Sequence, residues 1–172
     1  MILFLDYDGV LHPDEAFLVK GRPMLRAEGE LFMWAPILAD ICAPHPRLQI
    51  VLSTSWVRML GFNRARAFLP DDLSRRVIGA TWHTAMARHA EGSHRMENSW
   101  FTEASRYEQI ARYVSRAGQR AAHWVAIDDD GMGWKECLLG RLVETDPNLG
   151  LSSLAKQCEL SQKLRKLADG EL

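Results

Sequence analysis

The chain opens on MILFL, five apolar residues without a break, and then changes character at once through Asp6, Tyr7, Asp8 and Gly9. A short apolar run cut off by polar residues and a glycine reads as a strand buried on both faces, the central strand of a parallel sheet. Two later segments have the same shape. RLQIVL runs into Ser53, Thr54 and Ser55, and AHWVAI runs into Asp128, Asp129 and Asp130. RRVIGAT and RLVETD offer two more short strands, five in all.

The segments between the strands read mostly as helices. ELFMWAPILADICAPHP ends before Pro44, with Pro36 in its first turn or kinking it. Residues from Arg58 to Arg76 look helical with an interruption at Pro70. TEASRYEQIARYVSRA starts at a Thr102 cap, sets Tyr107, Ile110, Ala111 and Val114 on one face, and stops at Gly118. A last helix follows Ser152. Residues 12–30, with Pro13, Gly21, Pro23 and Gly29 around AFLV, read as a loop or small flap. Residues 80–102 show no periodicity and read as an irregular connection. Alternating strands and crossover helices predict an α/β fold, a parallel sheet covered on both faces.

In such folds chemistry gathers at the carboxyl ends of the strands. Here three ends remote in sequence carry acid, hydroxyl and acid. Carboxylates brought together raise one another's pKa unless a cation neutralises them, and an all-oxygen acidic cluster suits Mg²⁺. An ionised aspartate can act as a nucleophile, and a second carboxylate two residues on can share its side of the strand end and handle a proton. Ser53 or Thr54 can donate to a phosphoryl oxygen, and Arg106 can offset charge that develops in transfer.

With these residues in hand, a resemblance is visible. FLDYDGVLH resembles the first motif of the haloacid dehalogenase (HAD) superfamily of aspartate-nucleophile phosphatases. IVLSTSW resembles its second motif, Arg106 its third-motif cation, and WVAIDDD its fourth. DYDGVLH with STSW and the late LVETDPNLGLS more narrowly resembles the HAD domain associated with Swiss Army Knife RNA repair proteins. The resemblance spans nearly the whole chain. It implies one HAD-like domain over residues 1–172, a Rossmann-like three-layer sandwich with a five-stranded sheet ordered 5-4-1-2-3, and a minimal cap.

The resemblance also implies roles. Asp6 is the nucleophile and Asp8 the general acid/base whose backbone carbonyl binds Mg²⁺. Ser53, with Thr54 as the alternative, binds phosphate, as does Arg106 ahead of Arg95 and Arg112. Asp129, with Asp128 assisting, completes the metal site begun by Asp6 and Asp8, with Asp130 outside it. The implied activity is Mg²⁺-dependent hydrolysis of phosphomonoesters through an aspartyl phosphate, with nucleotides and nucleic-acid ends among the candidate substrates.

Two other classes compete. A non-catalytic relative that binds phosphorylated ligands or partners is opposed by the intact Asp6 and Asp8. A receiver-type signalling domain needs an acceptor aspartate at the end of the third strand, where VIGAT has none. His12 is a candidate for substrate contact. His83, His89 and His94 are spaced too loosely for metal ligation and read as surface residues, while Trp56, Trp82 and Trp100 read as core rather than as stacking platforms.

Composition sets the remaining bounds. With 21 basic and 22 acidic residues the net charge is −1, so no global field points to nucleic acid or membrane. Cys42, Cys137 and Cys158 are odd in number and far apart, which suits free thiols in a reducing cytoplasm. The opening apolar run is too short for a signal peptide or a membrane span, so a cytoplasmic protein is expected.

Overall fold

A computed structural model describes residues 1–82, 100–118 and 122–172. Its centre is β1 (Ile2–Leu5), every residue of which is buried. On one side it pairs in parallel with β4 (Gln49–Leu52), on the other with β6 (Trp124–Asp128). β5 (Val77–Ala80) and β7 (Leu142–Glu144) add to the two flanks, again in parallel.

The order across the sheet is β5-β4-β1-β6-β7. Its numbering departs from the expected 5-4-1-2-3 because residues 12–30, read as a loop or flap, contain two strands of their own. β2 (Ala16–Val19) and β3 (Arg22–Leu25) form a separate antiparallel hairpin. Its turn places Lys20 and Gly21 at φ +50° and +75°, the left-handed pair that matches the twist of a two-residue hairpin. Arg64 donates to the Gly21 carbonyl at 3.0 Å and ties this tip to the body.

Alternation along β1 divides the core. Leu3 and Leu5 pack in one apolar cluster with α1 (Ala35–Cys42) and α7 (Leu154–Asp169). Ile2 and Phe4 face the other way, against Ile110 of α6 (Arg106–Ala117) and Trp124. Phe4 meets the rings of Tyr113 and Trp124 edge-on at 5.4 and 5.6 Å. Burying each such side chain contributes about 1.5–3 kcal/mol, so a strand apolar on both faces is held firmly in the middle of the sheet. Among the described residues no helix is long and apolar enough to cross a membrane.

Three helical expectations shift. The first helix begins at Ala35, with Pro36 in its opening turn, because Phe32 sits at φ +62° just upstream. The stretch from Arg58 divides into α2 (Ser55–Leu60), α3 (Phe62–Ala67) and α4 (Asp71–Ser74), broken at Gly61 (φ +86°) and before Asp71 by Pro70. A short α5 (Trp100–Glu103) precedes α6, whose cap is Ser105 rather than Thr102. The Ser105 hydroxyl accepts from the Glu108 N–H, and the Glu108 carboxylate accepts from the Ser105 N–H, a reciprocal capping box. Most of the connection at 80–102, with His83, His89, His94 and Arg95, lies outside the described residues. Trp82 is buried in the core, and Trp100 packs against its edge.

Candidate active site

The parallel ladders place three chain segments at one level. Leu5 is in register with Leu52 on one side and Ile127 on the other. One further bond carries each pairing past the strand ends, Ser53 N–H to the Leu5 carbonyl at 2.8 Å and Asp6 N–H to the Ile127 carbonyl at 3.1 Å. Asp6, Ser53 and Asp128 therefore leave the same edge of the sheet together, and all three are buried.

Asp6 is 2% exposed. Its Oδ1 accepts from the Tyr7 N–H at 2.7 Å and its Oδ2 from Arg106 Nη2 at 2.8 Å. The same guanidinium reaches Asp128, with Nε 3.1 Å from Oδ2. That contact is close enough for ion pairing but not aligned for a hydrogen bond, so Asp128 Oδ2 stays a buried oxygen without a hydrogen-bond partner among the described residues. Asp128 Oδ1 accepts from the Asp130 N–H at 3.1 Å. Asp130 turns its own carboxylate to the Met132 N–H. Oxygens of Asp6, Asp128 and Asp129 lie within 4.8 Å of one another.

Electrostatics at this edge are dominated by burial. Desolvation raises the pKa of Asp6, helped by the charge of Asp8 and opposed by Arg106, the Tyr7 N–H and Thr54. Asp128 is pushed well above the usual carboxylate range by burial and then by Asp6. Asp129 is pushed up to about 7 by burial, Asp6 and Asp14. Burial pulls the Arg106 pKa down, yet Asp6 and Asp128 raise it further, so the guanidinium remains charged. Three carboxylates against one guanidinium leave two negative charges when all are ionised. Such a group fits a divalent cation: its donors are all oxygen, one buried oxygen is unpartnered, and the charge is unbalanced.

The two hydroxyls at the end of β4 separate cleanly. Thr54 caps α2, accepting from the Trp56 N–H at 3.3 Å, and lies near Asp6. The Ser53 hydroxyl is buried and has no hydrogen-bond partner among the described residues. An unsatisfied buried hydroxyl costs free energy unless a ligand supplies the bond, and of the two hydroxyls it is Ser53's that has none. Among the arginines, Arg106 meets the acids, whereas the Arg112 guanidinium lies over the Trp100 ring, 3.9 Å from its centroid.

Asp8 stands apart from the three clustered acids. Its carboxylate is held by the Trp56 indole N–H, 2.9 Å from both oxygens, and by His12 Nε2 at 3.1 Å from Oδ1. His12 is fully buried, which removes it as a direct substrate contact and makes it a partner of Asp8. Trp56 is core, as read, with an indole N–H that also serves the site.

Two more residues were not legible as site residues. The Thr145 hydroxyl donates to the Gly9 carbonyl at 2.8 Å, across 136 positions, while its N–H continues the β6–β7 ladder to Asp128. Thr145 stands at the end of RLVETD, the fifth strand, so a survey of that strand end like the others would have found it. Asp14 follows the β1 loop; burial and then Asp8 raise its pKa. No sequence pattern marks it.

Gly9 is where the two acidic loops touch. Its φ is +64°, and a Cβ there would fall 2.5 Å from Asp129 Cγ. Gly9→Ala should therefore cost about 1–2 kcal/mol for the left-handed backbone alone and also displace Asp129. A lowered melting temperature together with weaker Mg²⁺ binding by calorimetry is the expected outcome.

The family described as the HAD domain in Swiss Army Knife RNA repair proteins matches this chain over residues 2–155. No curated protein and no solved structure gives a significant match.

Proposed function

Since the chain belongs to the family of HAD domains in Swiss Army Knife RNA repair proteins, within the HAD-type hydrolase superfamily, we propose that it is a Mg²⁺-dependent phosphomonoesterase acting through an aspartyl phosphate. The observation that carries this reading is the meeting of Asp6, Asp128 and Asp129 oxygens within 4.8 Å beside an unpartnered Ser53 hydroxyl. A nucleophile, an acidic group suited to a hard cation and a free donor for a phosphoryl oxygen then share one edge of the sheet.

The residues divide the work as follows. Asp6 attacks phosphorus through a carboxylate oxygen, and the bond from phosphorus to the ester oxygen breaks. Asp8 gives its proton to the departing oxygen, so the alcohol leaves neutral. Ser53 donates to a phosphoryl oxygen, and Arg106 holds Asp6 while offsetting charge on the group in transfer. Water then attacks the same phosphorus, Asp8 takes a proton from it, and the bond from phosphorus to Asp6 breaks to release inorganic phosphate. Asp6, Asp128 and Asp129 would hold Mg²⁺ together with the Asp8 carbonyl, and the ion when bound would neutralise the acids and polarise the phosphoryl oxygens.

The finer reading, a phosphoester on a nucleotide or nucleic-acid end, is supported by the family's tie to RNA repair proteins and by the small size of the β2–β3 hairpin. A cytoplasmic setting is supported by Cys42, Cys137 and Cys158, all free thiols. A panel of aryl phosphate, nucleotides, oligonucleotide 3′ and 5′ phosphates and sugar phosphates tests the activity. Phosphate release that needs Mg²⁺, stops with chelator and returns when Mg²⁺ is restored is expected. Release at an undiminished rate in chelator would overturn the reading.

A further inference from the structure

The Asp8 carboxylate is held by two side chains, His12 and Trp56, and neither of them is exposed. We propose that His12 and Trp56 are positioning residues that aim the Asp8 carboxylate and reserve its Oδ2 as the oxygen that carries the proton. This rests on the phosphatase reading above.

The donors are distributed unequally. The Trp56 indole N–H is shared, 2.9 Å from Oδ1 and 2.9 Å from Oδ2. His12 adds a second donor to Oδ1 alone, from Nε2 at 3.1 Å. The ring can only be oriented this way: the Phe32 N–H donates to His12 Nδ1 at 3.4 Å, so Nδ1 is the acceptor and Nε2 bears the hydrogen that faces Asp8. A carboxylate oxygen has two acceptor sites. Oδ1 is filled by His12 and Trp56, and Oδ2 keeps one site free.

Both positioning residues are themselves fixed. The Trp56 ring meets Phe32 and Phe68 edge-on at 5.2 Å each, and Tyr7 at 5.7 Å. The His12 ring lies 5.0 Å from Phe32 and 5.6 Å from Trp56. Tyr7 in turn donates through its hydroxyl to the Ala65 carbonyl at 3.1 Å. An aromatic cluster packed to this degree has few alternative rotamers, so the carboxylate it presents is held in one orientation. Trp56 also stands two residues past Thr54 and three past Ser53, so the segment that offers the phosphate donor also aims the acid. His12 is four residues past Asp8, bridged to it through the backbone as well.

Core packing alone would also bury His12 and Trp56, and a leaving-group comparison tells the two roles apart. A simple alkyl phosphate needs a proton on its departing oxygen, whereas p-nitrophenyl phosphate expels a stable phenolate without one. The value kcat/KM reports the step in which that bond breaks. Trp56→Phe keeps an aromatic ring in the cluster and removes the N–H; His12→Phe likewise puts a ring without a donor in place of the imidazole. Each should lower kcat/KM for the alkyl ester about 10²-fold more than for the aryl ester. His12→Gln, which restores an N–H donor, should recover part of the loss.

The ratio of the two esters is measured on one protein sample, so a smaller folded fraction cancels from it. Equal losses on both esters, or no loss on either, overturn the positioning role and leave the phosphatase reading intact. A wild-type protein inactive on every phosphoester overturns the phosphatase reading and this inference with it.

Discussion

Asp6→Asn protein, purified and assayed with Mg²⁺, is expected to release phosphate from an aryl ester at least about 10³-fold more slowly than wild type. The amide has nearly the shape of the carboxylate, and the ion pair with Arg106 becomes a hydrogen bond from Nη2 to the amide oxygen. Packing in the sheet is untouched, because Asp6 lies beyond the last paired residue of β1. The loss therefore reports chemistry rather than folding, and an unchanged circular dichroism spectrum checks this. Rapid mixing of wild-type protein with substrate should show a stoichiometric phosphoenzyme that the variant lacks. Full activity in Asp6→Asn would remove this carboxylate as the attacking group.

The second large effect concerns stability and runs opposite to the usual behaviour of paired carboxylates. Burial raises the pKa of Asp6, Asp128 and Asp129, the last from 3.8 to about 7. Each group thus binds its proton more tightly in the folded metal-free protein than in the unfolded chain. Stability rises with pH only where the unfolded state holds more protons, and here the folded state holds more. These three acids should take stability from the metal-free protein as pH climbs from about 4 to about 7, by an amount worth on the order of 5 °C in melting temperature. Mg²⁺ should reverse the trend at neutral pH, since it binds the ionised acids and not the unfolded chain.

Asp128→Asn sharpens the test. Removing one buried charge should flatten the pH dependence of the metal-free protein and raise its melting temperature at pH 8. The same change should largely abolish the shift that Mg²⁺ produces. Scanning calorimetry from pH 5 to pH 8, with chelator and with Mg²⁺, measures both. A metal-free protein that gains stability steadily over that range would show that these acids are not crowded as described.

The strands that carry the chemistry could be read from sequence because each is an apolar run that stops abruptly at a polar group, as at Leu5–Asp6, Leu52–Ser53 and Ile127–Asp128. Burial on both faces writes such strands in contiguous residues. The β2–β3 hairpin reads in sequence as a loop or flap for the opposite reason. AFLV and RPML are four residues each, half exposed, and the second contains Pro23, so neither satisfies a core pattern. The Ser105 cap was missed because Thr102 and Ser105 are both good capping residues, and only Glu108 three positions on decides between them.

Which of the Ser53 and Thr54 hydroxyls the α2 backbone consumes is likewise visible only in the structure. In sequence His12 reads as a candidate for substrate contact, Trp56 as core and Thr145 as a strand end; none of these readings contains the partner the residue meets. Trp56 meets Asp8 across 48 positions and Thr145 meets Gly9 across 136. No local periodicity encodes a contact of that span.

The bond from Thr145 to the Gly9 carbonyl, with Gly9 seated against the Asp129 side chain, makes the first and last strands of the site behave like meshed teeth. A displacement of Asp129 cannot be absorbed locally; it pushes on the peptide that follows Asp8 and so on the attacking side of the site. A slip of one position in β6 would present a different aspartate to Gly9 and jam the mesh.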